Sequence, residues 1–484
     1  MEVFPGPDGH RSFTRRVFAR RMGGALLGTP LLGLLDGVAL ARPLVASAAP
    51  PEQHVVPGAR ITTDNGVEIV VPPLYHELVT ARLTRAAGRS LLAAQDELRL
   101  ALQEIEKGHV TGPNGLLVTV AWGAPYFRSH LPRLRDGRRF PDYLPTDLQA
   151  SRRLGRRVPA LVDAVRFPSD PETTVLDGND LVVLLRSDAR SNVTTARERL
   201  LARTDGILEP TSFRSGFVGA GLPKRFATEA GIPGAGAIPD DAQLFLGFTS
   251  TQRSALGPTR IANFESLRGV TDQWPGGYFK HGTVMHLSHV FEDLDAWYSS
   301  RDYLFRAWAA FRPGIAPPEG TQTLAEGAGT VQTEEDVIDG FANQGIVGHS
   351  ASLQPVSRLS SATVDHYGQR YEAGTALVQR ADFNTLENPF GWTVDKRADG
   401  WRPGPAAGLH FVSFTATAGI FERVRSAMDG HYPDGRAITG GAQGAVLDPR
   451  DPEMGFNSIL RTTHRQNFLV PPRARRSFPL AELA

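Results

Sequence analysis

The chain has 484 residues, of which 41% are hydrophobic and 21% are charged, and its formal net charge is +1. A near-neutral chain without a long basic block gives no reason to expect nucleic acid as a partner. The absence of cysteine excludes disulfides, thiolate ligands, iron–sulfur clusters and cysteine nucleophiles, and it leaves histidine as the strongest available metal ligand.

Residues 1–48 have the order of an exported leader. The pair Arg15-Arg16 precedes a small-residue and leucine-rich run over 22–40, and Ala46-Ser47-Ala48 supplies a cleavage site. A membrane anchor needs about 18 uninterrupted apolar residues, whereas glycine, proline and aspartate interrupt this run. We therefore expect a twin-arginine signal peptide, recognition by the twin-arginine translocase, and a periplasmic, extracellular or cell-surface location. Its removal changes the net charge to −2.

The first half of the remaining chain alternates helices with short strands. Apolar residues recur at helical spacing over 78–107, which predicts a helix that ends at Gly108. The short β-branched runs 116–122 and 181–185 predict buried strands, and a helix is predicted over 192–203.

In the second half the pattern predicts four strands and two helices. The strands are expected at 244–248, 283–290, 376–379 and 409–414, and the helices at 293–309 and 418–428. This order predicts an α+β fold of two successive units. The expected division is a first unit at 49–215, a glycine- and proline-rich connector at 216–239, and a second unit at 240–484.

Several short motifs follow one another in the second half. They are Gly276-Gly277-Tyr278, Asp293-Leu294-Asp295-Ala296-Trp297, Gly348-His349, Arg380-Ala381-Asp382-Phe383-Asn384, Gly408-Leu409-His410-Phe411 and Phe468-Leu469-Val470-Pro471-Pro472. In this order, over roughly residues 240–472, the sequence resembles the dye-decolorizing peroxidases. The resemblance depends on the order of the motifs rather than on one diagnostic string.

The resemblance implies a fold, a cofactor and a set of site residues. The fold would be two ferredoxin-like units packed as a dimeric α+β barrel, and the cofactor heme b, used with hydrogen peroxide and an unidentified reductant. His349 would be the axial iron ligand and Arg380 the distal arginine, with Asp382 or Asn384 as the polar residue beside it. His286, on the neighbouring strand, would be a pocket residue. The resemblance also admits a homo-oligomer.

These residue types suit that chemistry. Haem iron needs one neutral imidazole on one face while the other face stays open for peroxide. Cleavage of the O–O bond builds negative charge on the departing oxygen, which a fixed guanidinium such as that of Arg380 can stabilise. Gly348 is expected to let the backbone at His349 approach the macrocycle.

One segment departs from the family pattern. Members carry Gly-Phe-x-Asp-Gly, whose aspartate moves the peroxide proton, whereas this chain reads Gly247-Phe248-Thr249-Ser250-Thr251-Gln252. Neither Thr249 nor Ser250 can act as a general base near neutral pH. Three alternatives follow: Asp382 takes over, the arginine and a water suffice, or the chain is a non-catalytic binding protein that holds haem or no cofactor.

Each site residue also has an ordinary structural interpretation. His349 could cap a helix or lie at the surface, Arg380 could end a strand in solvent, and Asp382 and Asn384 are common turn residues. His281, His286 and His289 raise the question of a metal site. On a strand, however, His286 points away from the other two, which lie about 26 Å apart.

Overall fold

The computed structural model describes residues 58–64, 66–248, 274, 276–315, 331–364, 368, 370–388, 404–440 and 445–484, with the short strands Arg42–Pro43 and Arg260–Ile261. Except for residues 42–43, the leader lies outside the described residues, so export stays a prediction from the sequence. No helix in the described part of the chain is both long and apolar enough to cross a bilayer.

The first half is a ferredoxin-like unit, in which helices cover one face of a four-stranded antiparallel sheet. Its sheet has the strand order β4-β1-β3-β2. Its elements are β1 (Tyr75–Leu83), α1 (Arg85–Arg89), α2 (Leu91–Glu106), β2 (Leu117–Gly123), α3 (Ala124–His130), α4 (Leu148–Leu154), β3 (Leu181–Ser187), α5 (Arg190–Thr204), β4 (Leu208–Phe217) and α6 (Leu222–Glu229).

The second half repeats this topology with more helix between its strands. Its sheet has the order β7-β8-β5-β9, and β6 pairs with β8 beside β7. Its elements are β5 (Thr283–Glu292), α7 (Leu294–Ser299), α8 (Tyr303–Ala310), α9 (Glu334–Gln344), α10 (His349–Ser357), β6 (Gln379–Arg380), β7 (Phe383–Thr385), β8 (Gly408–Thr415), α11 (Ala418–Met428) and β9 (Leu460–Val470).

The two sheets join at both edges into one closed barrel. Strand β4 pairs with β7 at Phe217 and Asn384, and β2 pairs with β9 at Trp122 and Leu469. Each seam thus joins the fourth strand of one unit to the second strand of the other, which gives the barrel an approximate twofold symmetry. The expected dimeric α+β barrel of two ferredoxin-like units is confirmed by this strand order.

Alternation along the strands separates the barrel interior from its outer faces. On β5, Met285 and Leu287 point into the barrel, where they meet Phe414 and Phe468 among other apolar side chains. In the first half, the apolar faces of the helices pack against the outer face of the sheet. Leu98 of α2 and Leu200 of α5 are fully buried there.

Three predicted elements are corrected by the structure. Residues 78–83 belong to strand β1, because β3 and β4 pair with it on both sides. Residues 244–248 form no strand: residues 245–246 form a turn, and the backbone N–H of Phe245 donates to a side chain instead of to a neighbouring strand. The helix predicted over 293–309 is split into α7 and α8, because Asp302 caps the second helix by accepting from Phe305 N.

Other predicted elements are confirmed, including the strands at 116–122, 181–185, 283–290 and 409–414 and the helices at 192–203 and 418–428. Of the strand predicted over 376–379, only Gln379 belongs to a strand, β6. The sequence did not indicate β4, whose last residues, Gly216 and Phe217, begin the segment expected to be a connector.

The segment after β9 contacts the first half through salt bridges and a buried aromatic side chain. Arg473 and Arg476 both pair with Glu106 of α2. Phe478 is fully buried, with its ring centroid 4.9 Å from that of Trp122. This segment therefore completes the core of the other unit.

Candidate functional site

The second half contains a cavity of about 280 Å³ between the outer face of its sheet and its helices. This volume is near the lower end of the range for small-molecule sites, about 300–1,000 Å³. Ser288, Val290 and Glu292 contribute the wall from β5, because these alternate positions face away from the barrel interior. Helices α10 and α11 form the opposite wall, with Leu353 and Val424 among their apolar side chains.

His349 enters the cavity from the helical wall as the first residue of α10. Its ring packs against Phe456, with 4.5 Å between the ring centroids. Burial, together with the charges of Arg380 and Arg425, lowers the pKa of His349 to about 3. The imidazole is therefore neutral at ordinary pH and has a lone pair for a metal ion.

Gly348 has a structural role that the sequence did not indicate. A Cβ at this position would lie 2.1 Å from the backbone oxygen of Phe311. The same oxygen accepts a hydrogen bond from Ala351 N in the first turn of α10. Gly348 thus permits a close backbone contact with Phe311 that caps the helix, and its approach to a macrocycle stays a prediction.

Arg380 and Asp382 reach the cavity from the sheet edge, where β6 leads into β7. Ala381 between them points into the barrel interior, so strand alternation directs its two neighbours outward. Asp382 Oδ1 lies 3.6 Å from Arg380 Nε, and the Asp382 side chain is only 6% exposed. The structure therefore places a guanidinium and a carboxylate side by side in the cavity that His349 faces.

Asn384 does not belong to this group. Its side-chain oxygen accepts from Phe245 N at 3.1 Å, and its amide nitrogen donates to the oxygens of Phe217 and Gln243 at 3.1 and 2.9 Å. The side chain is fully buried and engaged with backbone groups. The expected catalytic role of Asn384 is therefore replaced by a structural one at the seam between β4 and β7.

His286 lies behind the cavity wall rather than in it. Its ring nitrogens contact Asn467 Oδ1 at 2.7 Å and Ser288 Oγ at 2.6 Å, and its ring stacks on Phe421, which lines the cavity. Burial, and secondarily the charge of Arg465, hold the pKa of His286 well below its ordinary value. His286 therefore supports Phe421 and Ser288, and the prediction that it contacts a cofactor directly is corrected.

A buried charge network forms the floor of the cavity and was not predicted. Asp170 binds Arg465 through both carboxylate oxygens, at 2.5 and 2.9 Å, and lies 3.4 Å from Arg425. Arg425 also pairs with Asp429 at 2.5 Å. Because Asp170 belongs to the first half of the chain, no local sequence pattern could have indicated this contact.

Glu292 and Arg358 are further cavity residues that the sequence analysis missed. Glu292 is 4% exposed, and its Oε2 makes no hydrogen bond with any described residue. Burial, and then the charge of Asp382, raise the pKa of Glu292 to about 8. Burial, and then Arg380, lower the pKa of Arg358 to about 10. Alternation along β5 was the signal that could have identified Glu292.

Two further sequence features are the segment 247–252 and the histidines at 281, 286 and 289. Of the segment that departs from the family pattern, Gly247 and Phe248 are described, whereas Thr249 to Gln252 lie outside the described residues. Within the described part of the chain, no group of three or more His, Asp or Glu side chains is arranged to hold a metal ion. The histidines at 281, 286 and 289 are included in that finding.

The barrel and its one-sided cavity define the class of protein, a single-chain dimeric α+β barrel with a candidate site in the second unit. Residues 73–472 match a family of unknown function (DUF7405), and the chain belongs to that family. No curated protein matches the sequence.

Solved structures of DyP-type peroxidases resemble the chain distantly. DyPB from Rhodococcus jostii has 11% identity and a TM-score of 0.49, over 90% of this chain and 99% of that chain. The encapsulated DyP-type peroxidase from Mycobacterium smegmatis has 10% identity and a TM-score of 0.48, over 84% and 95%. A DyP-type peroxidase from Streptomyces coelicolor has 15% identity and a TM-score of 0.48, over 92% and 96%.

Proposed function

We propose that this protein is a haem-dependent peroxidase of the dye-decolorizing type, which uses hydrogen peroxide to oxidise a reductant that is still unidentified. One observation carries the proposal. A neutral histidine on the helical wall, His349, faces the same cavity as Arg380 and Asp382 on the sheet edge. Such a set combines an iron ligand with a fixed positive charge and a proton acceptor.

The residues of the cavity fit haem b. The neutral imidazole of His349 supplies the ligand that haem iron requires, and Leu353, Phe421 and Val424 supply apolar walls for a macrocycle. Arg358, whose Nε makes no hydrogen bond with a described residue, would pair with a carboxylate of the macrocycle. Haem, when bound, supplies the electrons that reduce peroxide.

The protein's own part in the reaction is to move protons and stabilise charge. The guanidinium of Arg380 can hold peroxide and stabilise the negative charge on the departing oxygen. Asp382, 3.6 Å from Arg380 Nε, takes the peroxide proton in place of the aspartate missing from 247–252. The burial of Asp382 keeps bulk water away from this transfer.

A haem carrier or cofactor-free binding protein on the same fold is the second candidate. The observation that favours it is the sequence of the segment 247–252, which has no aspartate. A carrier would need His349 and the apolar walls but would not need Arg380 or Asp382. The two functions therefore differ in whether they require Arg380 and Asp382 at the sheet edge.

The first experiment is a visible spectrum of the purified protein before and after haem addition. We expect a Soret band in the parent and its loss or displacement in His349→Ala. His366→Ala is the matched control variant, because His366 is the next histidine after His349 in the sequence. His366 lies outside the described residues. A band that depends on His366 instead would overturn the assignment of His349, and a parent that binds no haem would overturn the proposed function.

The second experiment separates the enzyme from the carrier. In haem-loaded protein, Arg380→Leu should slow the reaction with peroxide by about 10²- to 10³-fold, because a fixed charge that stabilises the departing oxygen is lost. Haem affinity should change little. Equal peroxide rates in variant and parent would remove Arg380 from the reaction and favour the carrier.

A further inference from the structure

Glu292 is a buried carboxyl group aimed into the cavity without a hydrogen bond at Oε2 among the described residues. It is the last residue of β5 and shares the cavity-facing side of that strand with Ser288 and Val290. An unsatisfied buried carboxyl group is costly, and a charged one is far more costly. A group of this kind at a cavity wall is a candidate for chemistry rather than for stability.

The surroundings of Glu292 favour its neutral form. Burial raises the pKa of Glu292 to about 8, and the negative charge of Asp382 adds to that effect. Arg380 pairs with Asp382, at 3.6 Å between Nε and Oδ1. Tyr298 of α7 is a further titratable neighbour, and its hydroxyl donates to the backbone oxygen of Phe245 at 2.7 Å. Glu292 therefore keeps its proton near neutral pH.

We propose that Glu292 is a second proton-transfer residue of this cavity, which donates a proton to the departing peroxide oxygen while Asp382 accepts the other. The inference rests on the proposed peroxidase function and deepens it. It assigns a role to a residue outside the motifs that indicated the site. It also explains how the chain can act without an aspartate in the segment 247–252.

The proposed step moves two protons and breaks one bond. Asp382 takes the proton from the oxygen that stays, and the carboxyl group of Glu292 gives its proton to the oxygen that leaves. The O–O bond breaks with its electron pair on the leaving oxygen, which keeps its own proton and departs as water. Haem, when bound, would supply the two electrons, and the reductant would then supply the two electrons and two protons that release the remaining oxygen as a second water. Transfer of the proton from Asp382 to Glu292 restores the starting state.

The test uses Glu292→Gln, which keeps a neutral side chain of the same size but has no transferable carboxyl proton. Glu422→Gln is the matched control, because Glu422 is a half-buried glutamate on the cavity-lining helix α11 but does not line the cavity. In haem-loaded protein, Glu292→Gln should keep the Soret band and lose about 10²- to 10⁴-fold in the rate of the peroxide reaction. Glu422→Gln should keep the parent rate.

Two pH measurements complete the experiment. The parent rate should fall as Glu292 ionises around pH 8, and this alkaline decline should be absent in Glu292→Gln. In cofactor-free protein, infrared difference spectra should show a protonated carboxyl band that titrates in the same range and disappears in Glu292→Gln. Parent-like rates in a haem-loaded Glu292→Gln, or no such band, would overturn the role of Glu292. A parent without haem would instead overturn the proposed function.

Discussion

At the scale of single residues, the protonation of Glu292 connects the cavity to the stability of the fold. The pKa of this carboxyl group rises from 4.5 to about 8, mainly because it is buried. Between these pH values the folded protein holds a proton that the unfolded chain has released. The stability that this group contributes is therefore complete below pH 4.5 and is lost as the pH rises through about 8.

Glu292→Gln should remove this dependence. Near pH 5 we expect similar free energies of unfolding for variant and parent, and near pH 8 the variant should be more stable by a few kcal/mol, since one pKa unit corresponds to about 1.4 kcal/mol. Denaturant unfolding across this pH range measures the difference. The control is Glu229→Gln, at an exposed position at the end of α6. Parallel pH curves for Glu292→Gln and the parent would contradict the expectation.

The sequence identified only part of the cavity residues. The motifs indicated the segments that carry His349, Arg380 and Asp382, and these three meet at one cavity. Asn384 and His286 were assigned to the same site, but the direction of a side chain depends on strand register and on partners distant in sequence. Asn384, for example, binds backbone groups more than 130 residues away.

At the scale of single elements, the start of α10 determines where His349 lies. Gly348 brings no side chain to cap the helix, and the carbonyl oxygen of Phe311 takes that place by accepting from Ala351 N at 2.9 Å. This contact requires glycine, because a Cβ would lie 2.1 Å from that oxygen. The position of the imidazole is thus determined by the contact between the end of α8 and the start of α10.

Gly348→Ala should move this helix start. We expect a loss of about 1–3 kcal/mol in the free energy of unfolding, as for other overpacked sites, and weaker haem binding because His349 is displaced. Denaturant unfolding and haem titration give the two readouts. Gly236→Ala is the control, since a Cβ there has no neighbour within 4 Å. The same values for both variants would refute the role of Gly348.

Helices and strands could be predicted where the sequence pattern that indicates them is local. The strand Leu117–Gly123 lies between glycines, and the helix Ala418–Met428 has a clear apolar face. Strand β1 was mistaken for helix because nearly all its side chains are buried, which removes the alternation of a half-buried strand. Its identity comes from pairing with β3 and β4, about 100 or more residues away.

At the scale of the whole molecule, the two units share one barrel core and cannot separate without opening it. Both seams are short, with two paired positions between β2 and β9 and one between β4 and β7. The segment after β9 adds further contacts between the two units. The indole N–H of Trp122 donates to Arg476 O, and the hydroxyl of Tyr126 donates to Pro479 O. Phe478 packs against both of these rings.

Phe478→Ala should therefore destabilise both units at once. Truncation of a fully buried phenylalanine costs about 3–5 kcal/mol, and this side chain belongs to the core of the first unit although it follows the last strand of the second. We expect a lower denaturation midpoint with one cooperative transition, measured together by circular dichroism and by loss of the Soret band. Leu483→Ala, at a 36% exposed position in the same segment, should leave the midpoint nearly unchanged. If the first unit unfolded while the Soret band persisted, the closed barrel would not be the cooperative unit, because haem in the second unit would then survive the opening of both seams.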